Sequence, residues 1–153
     1  MSDASDLLTP AHCVSHSLQK TARAVARIYA EEMRPSGLTR GQFPILETLA
    51  TVKVIPLSLL ARRLYLDRTT LTRNLTPLER DGLVLRPPDP LDARVRQVAI
   101  SSAGRRKLRA ARRGWVRAQT RMLDTIGADA WRGLETTLRG LRRAVSGDGH
   151  LPS

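Results

Sequence analysis

Apolar residues recur every three or four positions in the first part of the chain. Over residues 12–33 they fall on one face of a helix, and the cluster Pro35-Ser36-Gly37 ends that helix. Thr39 is a residue type that caps helices, and a second apolar pattern of helical period follows it. Two helices are therefore predicted in the first third of the chain, with Thr39 as the cap of the second.

The middle of the chain predicts two short helices joined by a turn. Residues 51–57 have little pattern and are interpreted as a linker. A third helix is predicted over residues 58–65 and a fourth over residues 68–80, with Asp67 placed to cap the fourth. Gly82 stands where a helix of this length ends.

The period of the pattern then changes. Residues 83–85 and 95–100 have the composition of two short strands, and the segment 87–93 between them, rich in Pro and Asp, suits a hairpin tip. Ser101 or Ser102 caps a long helix, and one further helix follows. The chain is therefore predicted to be mainly α with a small β-hairpin wing, the order of elements found in a winged helix-turn-helix.

Charge adds the first indication of function. The 153 residues include 26 Lys and Arg against 14 Asp and Glu, a net charge of +12. Between Arg62 and Arg113 there are 14 basic and 5 acidic residues, so nine of the twelve net charges lie in that stretch. Such a segment suits a polyanion. An arginine-rich genome gives the same bias without a function, so charge alone leaves both interpretations open.

The remaining composition limits the class of protein. The length is that of one domain, and aromatic residues make up only 3%, so the core must consist of Leu, Val, Ile and Ala. No apolar run approaches the roughly 20 residues that cross a bilayer, and no export signal is visible near Met1. Cys13 is the single cysteine, which fits a reducing cytosol. We expect a cytoplasmic, nucleoid-associated protein without membrane contact.

Four segments of the sequence are similar to the regulators of the MarR family. Residues 59–75 resemble the helix-turn-helix of that family, residues 78–84 its recognition-helix exit, and residues 100–104 its exit from the wing into a long helix. A fourth segment resembles the wing tip of the family: Asp89-Pro90-Leu91-Asp92-Ala93-Arg94. When Gly37-Leu38-Thr39 is counted as the start of the second helix, the resemblance covers most of the chain. Together these segments form a specific signal.

Three features depart from the family pattern. Tyr65 occupies a turn position that is often Gly, and residues 51–56 are unusually apolar. Pro77 lies inside the predicted recognition helix, where it removes one backbone hydrogen bond and is expected to kink the helix. These departures affect the tilt expected for that helix and leave the fold unchanged.

The resemblance implies that the fourth helix enters the major groove of DNA. Arg pairs with guanine and Asn with adenine, whereas Thr contacts phosphate or a thymine methyl group. The start of the helix suits a phosphate contact. The predicted DNA-binding residues of this helix are Arg68, Thr69, Thr70, Thr72, Arg73 and Asn74.

The resemblance also implies that the hairpin reaches the adjacent minor groove. Arg94 is the residue expected there, because the negative potential of a narrow A·T groove attracts arginine. Asp89 or Asp92 is expected to hold Arg94, and both count as support for the wing. Arg86 and Arg96, on the hairpin stems, are expected to contact phosphate.

Cys13 has two interpretations. Some family members sense oxidants through a cysteine near this end of the chain, and the start of a helix favours ionisation of a thiol. A free cysteine is also a common small hydrophobic residue with a structural role, and this second interpretation is favoured. His12 and His16 lie four apart on one helical face, but a further ligand is missing, so no metal is expected. No cofactor is expected either.

The outer helices carry apolar stripes that the central domain cannot cover, and twofold self-association covers them most simply. We expect a helical dimerisation region in residues 1–36 and 102–146, a DNA-binding domain in residues 37–101, and a frayed tail in residues 147–153. The function expected is a homodimeric, sequence-specific regulator, a repressor on a pseudo-palindromic operator, released by a small effector of unknown identity or by oxidation of Cys13.

Two other functions stay open at this point. One is a sequence-neutral architectural DNA-binding protein, and the other is a winged helix that binds only proteins. An enzyme is not expected, because the sequence has no Gly-rich phosphate loop, no nucleophile elbow and no paired carboxylates in a plausible pocket.

Overall fold

The computed structural model describes residues 4–92 and 94–146. It contains six α-helices and three short strands within those ranges. The order is α1 Val14–Met33, α2 Phe43–Thr51, β1 Ile55–Pro56, α3 Leu57–Leu64, α4 Arg68–Arg80, β2 Val84–Leu85, β3 Gln97–Ile100, α5 Ser102–Ile126 and α6 Ala128–Ser146. The prediction of a mainly α fold with a small β-hairpin wing is confirmed, whereas the predicted tail at residues 147–153 lies outside the described ranges.

The second helix begins later than predicted. Thr39 starts a turn and not the helix itself, because its carbonyl accepts hydrogen bonds from the amides of Gln42 and Phe43, both at 3.1 Å. The side-chain oxygen of Gln42 in turn accepts a hydrogen bond from the amide of Thr39 at 3.0 Å. Pro44 is the second residue of α2, where a missing amide costs nothing.

The apolar linker between α2 and α3 is a strand, which the sequence did not predict. In β1, Ile55 pairs with Val98 of β3 in antiparallel register. Ile55 is 2% exposed and Val98 is fully buried. The linker is apolar because it forms the third strand of the sheet, in the order β1-β3-β2.

The strands of the hairpin are shorter than predicted. β2 pairs with β3 through Val84 and Ile100, and one isolated bridge between Pro88 and Arg96 extends the hairpin toward its tip. The sheet lies against the helices through Val98, and the core is built almost wholly from aliphatic residues, as the composition predicts. This arrangement fixes the base of the hairpin beside α4 and the start of α5.

The cap of α5 joins that helix to the hairpin. The hydroxyl of Ser101 accepts from the amide of Gly104 at 2.9 Å and donates to the carbonyl of Gly82 at 2.7 Å. Of the two predicted caps, Ser101 is therefore the one the structure uses. Gly104 is close to the carbonyl oxygen of Leu83, and an added Cβ would lie 2.1 Å from that oxygen.

The turn between α3 and α4 contains the only residue other than glycine with a positive φ among the described residues. Tyr65 has φ +52° and ends α3 in the left-handed conformation. Its amide donates to the carbonyl of Arg62 at 3.2 Å. The departure from Gly noted in the sequence is therefore a residue held in a conformation that disfavours side chains.

We expect the substitution Tyr65→Gly to raise the free energy of unfolding by roughly 0.5–1 kcal/mol, because relief of the left-handed strain exceeds the entropy that glycine loses on folding. Urea denaturation at one fixed protein concentration measures the change. Tyr65→Ala is the matched control, since alanine loses the same side chain and keeps the strain. Equal stability of the glycine and alanine variants would contradict this interpretation.

No helix among the described residues is both long enough and apolar enough to span a membrane.

Candidate nucleic-acid interface

Asp67 caps α4 through two hydrogen bonds from one residue. Its Oδ1 accepts from the amide of Thr70 at 2.8 Å, and its Oδ2 accepts from the Thr70 hydroxyl at 2.7 Å. These bonds lower the pKa of Asp67, the backbone bond contributing most. Because the folded-state pKa is lowered, the cap is formed above the unfolded-state pKa and is lost as the pH falls through the folded-state pKa. The predicted cap is confirmed.

The two faces of α4 differ as the sequence predicts. One face lies in the core through three leucines, and the other carries short polar and basic side chains that are exposed. The buried residues are Leu71, Leu75 and Leu78. The exposed residues are Arg68, Thr69, Thr72 and Arg73. Within the described ranges neither arginine of this face forms an ion pair, so both guanidinium groups are free for an anionic partner.

Two predicted contact residues of α4 make intramolecular hydrogen bonds. The Thr70 hydroxyl serves the cap, and the side-chain amide of Asn74 donates to the Thr70 carbonyl at 2.8 Å. Asn74 also lies against Gly41, where an added Cβ would be 2.4 Å from Asn74 Oδ1. Asn74 therefore positions α4 against the segment that precedes α2. Its contact with adenine stays a prediction that requires the side chain to leave this position.

The wing tip is held by two carboxylates. Asp89 Oδ1 accepts from the amides of Leu91 at 2.8 Å and Asp92 at 3.0 Å, and Asp89 Oδ2 accepts from the side chain of Gln97. Asp92 Oδ1 accepts from the amide of Arg94 at 2.9 Å. The hydrogen bond from the Leu91 amide, followed by that from the Asp92 amide, lowers the pKa of Asp89.

The support of Arg94 differs in kind from the one predicted. The carboxylate of Asp92 holds the backbone of Arg94, and the Arg94 guanidinium forms no ion pair within residues 4–92 and 94–146. Arg96 is exposed and likewise without an ion pair in that part of the chain. Arg86 differs from both, because it pairs with Glu79 of α4 at 3.2 Å. A phosphate contact by Arg86 would therefore compete with Glu79.

The positive charge of the central stretch is divided between two places. Six of its fourteen basic residues lie on α5 and not on the helix-turn-helix or the hairpin: Arg105, Arg106, Lys107, Arg109, Arg112 and Arg113. The helix-turn-helix and hairpin therefore carry eight basic and all five acidic residues of the stretch. Net charge alone is a poor description of this surface, and the placement of single arginines matters more.

A cavity of about 890 Å³ lies among α1, α2 and α5. It is mostly apolar, and its wall includes the side chains Val25, Tyr29, Phe43, Glu47, Arg112 and Trp115. The Phe43 and Trp115 rings are stacked with their centroids 6.4 Å apart. Trp115, which is 37% exposed, therefore lines the cavity together with Phe43.

The polar groups of the cavity wall join α5 to the other two helices. Arg112 donates to both carboxylate oxygens of Glu47 at 2.7 and 2.8 Å, and these bonds raise the pKa of Arg112. The Tyr29 hydroxyl donates to the side chain of Gln119, and burial raises the pKa of this phenol, which therefore stays neutral. No local pattern in the sequence predicts these contacts, because the paired residues are 65 and 90 positions apart.

Cys13 is exposed and lies directly before α1. Its side chain makes no capping hydrogen bond. His12 ends a short 3₁₀ helix that precedes Cys13, so His12 and His16 do not share one helix as predicted. In the part of the chain that the structure describes, no group of His, Cys, Asp or Glu has the arrangement of a metal site.

Comparison with known proteins identifies relatives of this chain. The family model that matches is that of the MarR family, over residues 38–95. The HTH-type transcriptional regulator YdgJ of Bacillus subtilis, which is uncharacterized, is 26% identical over 111 residues, 72% of this chain and 68% of YdgJ.

Structures of similar proteins extend the match to nearly the whole chain. The transcriptional regulator MosR of M. tuberculosis, in complex with DNA, is 31% identical with a TM-score of 0.80, and the match covers 90% of this chain and 99% of MosR. A variant of MarR from E. coli, complexed with operator DNA, is 23% identical with a TM-score of 0.78, over 92% of this chain and 99% of that one. The second likeness shows the fold alone.

Proposed function

The chain belongs to the MarR family of transcriptional regulators, and we propose that it is a homodimeric repressor of a pseudo-palindromic operator. In this proposal α4 reads base edges in the major groove, and the hairpin enters the adjacent minor groove. Residues 37–101 form the DNA-binding domain, and residues 1–36 and 102–146 form the dimerisation region. The protein acts on the nucleoid in the cytoplasm.

One observation carries the DNA-binding part of the proposal. A helix whose outer face presents the guanidinium group of Arg73 is followed directly by a hairpin whose tip presents that of Arg94, and neither group forms an ion pair with another described residue. Arginine is the side chain that most often pairs with guanine in the major groove, and it also suits a narrow minor groove. The MosR structure supports the proposal, since that relative was determined with DNA bound.

The dimer is supported by an apolar stripe on α6. None of its described side chains is buried, although Leu134, Leu141 and Val145 recur at helical spacing and are 46%, 38% and 65% exposed. At the other end of the chain Val14 and Leu18 of α1 are also exposed. A second copy with twofold symmetry would bury these surfaces together.

The cavity among α1, α2 and α5 is the proposed effector site. Its volume lies in the range of small-molecule sites, and its wall is mostly apolar with few polar groups. The wall includes α2 of the proposed DNA-binding domain and α5 of the proposed dimerisation region. A ligand there can therefore change the position of one region relative to the other.

We expect benzoate or phenol to change the fluorescence of Trp115 in a saturable manner, because a ring that enters the cavity contacts this indole. The variant Trp131→Phe leaves Trp115 as the single tryptophan and is expected to keep the full response. Trp115→Phe, which leaves only Trp131 on α6, is the control and is expected to lose it. A response carried by Trp131 would place the ligand elsewhere.

Release by oxidation of Cys13 stays a prediction. The thiol of Cys13 is exposed in the single chain. Exposure is compatible both with a structural role and with a role as an oxidant sensor.

Immunoprecipitation of the protein with its bound DNA from growing cells tests the proposed function. Recovery of a small set of sites that share an inverted repeat would support it. Even coverage of the chromosome would favour the sequence-neutral architectural protein. A failure to recover DNA above background would favour a winged helix that binds only proteins.

A further inference from the structure

Leu91 at the wing tip is the most exposed of the large hydrophobic residues that the structure describes. Its exposed fraction is 95%, and it is flanked by Pro90 and Asp92, which are also exposed. Single apolar residues on a surface are common. Leu91 differs from other exposed apolar residues in its position, because it lies at the tip of the hairpin that also carries Arg94, whose guanidinium has no ion pair among the described residues.

Hydrogen bonds within the loop hold the backbone of Leu91. Asp89 Oδ1 accepts hydrogen bonds from the amides of both Leu91 and Asp92, and the ring of Pro90 restricts the backbone between Asp89 and Leu91. The carboxylate of Asp89 is thereby turned toward its own loop. An ordered loop loses little conformational entropy when it binds, so little of the binding free energy of an apolar contact at its tip is lost to ordering.

We propose that Leu91 enters the minor groove beside Arg94 and rejects G·C base pairs there. The inference rests on the proposed function and adds to it a residue that determines specificity. The wall of the minor groove consists of deoxyribose C–H groups, which suit an aliphatic side chain, and other proteins insert leucine there.

The discrimination follows from the hydrogen-bonding groups on the groove floor. A·T and T·A pairs present only acceptors, whereas a G·C pair adds the donor N2–H₂ of guanine. Leucine has no acceptor, so contact with Leu91 leaves that donor buried and unsatisfied. Arg94 supplies donors to the acceptors of A·T pairs, and the two side chains therefore favour the same sequence for different reasons.

The test uses duplexes of the recovered operator in which each A·T pair is replaced in turn by G·C and by I·C. Inosine lacks the 2-amino group of guanine, so its minor groove resembles that of A·T. At the base pairs that the wing contacts, we expect wild-type protein to bind the G·C duplex at least about fivefold more weakly than the I·C duplex. This factor corresponds to the lower end of the cost of an unsatisfied buried donor. Leu91→Ala is expected to lower this ratio clearly below the wild-type value, to the preference that Arg94 alone contributes.

Two control variants separate Leu91 from its neighbours. Leu85→Ala removes another exposed leucine of the same hairpin, 54% exposed on β2, and is expected to keep the wild-type ratio. Arg94→Ala is expected to lower the salt dependence of binding, which Leu91→Ala leaves unchanged because an apolar contact releases no counterion.

The inference and the proposed function fail in different ways. If wild-type protein prefers the recovered operator but Leu91→Ala still discriminates G·C from I·C as the wild type does, Leu91 is not the cause and the inference is overturned. If wild-type protein shows no preference for any sequence, the proposed function fails and the inference with it.

Discussion

Replacing Arg73 with alanine is expected to weaken binding to the operator by about 1–3 kcal/mol for each half-site, which is roughly 5- to 150-fold for each half-site. Arg73 is exposed in the middle of α4, and its guanidinium has no ion pair in the described part of the chain. In the proposed function Arg73 makes a bidentate contact with one guanine, so Arg73→Ala is expected to lose the preference at that base pair as well. Fluorescence anisotropy with duplexes varied at each position measures both effects.

The control for Arg73→Ala is the same substitution at another exposed arginine. Arg113 is exposed on α5, outside the helix-turn-helix and the hairpin, and Arg113→Ala changes the net charge by the same amount. We expect this variant to bind the operator nearly as the wild type does. If the two variants lose affinity equally and keep the sequence preference, net charge drives binding and the sequence-neutral architectural protein is the better account.

The second large effect concerns stability, and it is expected from Gly104→Ala. An added Cβ would lie 2.1 Å from the Leu83 carbonyl oxygen and 2.8 Å from the side chain of Ile100. Neither atom belongs to a flexible chain end, so α5 and the hairpin base must separate. We expect the free energy of unfolding to fall by about 1–3 kcal/mol, as measured by urea denaturation at one fixed protein concentration.

Gly133 provides the matched control because it is also a glycine inside a helix. An added Cβ at Gly133 of α6 meets nothing within 4 Å, so Gly133→Ala is expected to raise stability by up to about 1 kcal/mol through helix propensity alone. The same substitution thus has opposite signs at the two sites. A stabilising effect of Gly104→Ala would mean that α5 lies farther from the hairpin than the structure places it.

Local signals in the sequence predicted most of the fold. The side chain of Asp67 caps α4 as its place before a polar helix suggests, and Ser101 caps α5. Both residues accept a hydrogen bond from a backbone amide three positions along the chain, and such contacts can be predicted from residues that are close in the sequence. The period of apolar residues likewise places the helices, because the pattern and the helix share one repeat.

Contacts between distant segments could not be predicted in this way. The strand β1 contains two residues, too few for a period, and it forms only because β3 provides a partner more than forty positions along the chain. The ion pair of Glu79 with Arg86 and the contact of Asn74 with Gly41 depend on how α4 lies in the fold. These contacts decide which of the predicted DNA-binding side chains are free.

The cavity could not be predicted from the sequence either. Its wall combines residues of three helices, and Phe43 and Trp115 are brought together across 72 positions only by the fold. A small effector was expected from the sequence, but no residue pattern marked a site for it. By contrast, the exposed arginines of α4 and the wing tip were predicted directly, because surface position follows from the helical period and the hairpin turn.

Whether this chain is a sequence-specific dimeric regulator is best decided by an affinity selection of random duplexes on the purified full chain. The selection is run at physiological salt, since low salt strengthens binding to any sequence. Two copies of α4 related by a twofold axis are expected to enrich an inverted repeat whose half-sites are about one helical turn apart. Retention of DNA without any enriched sequence, or of no DNA at all, would contradict the account.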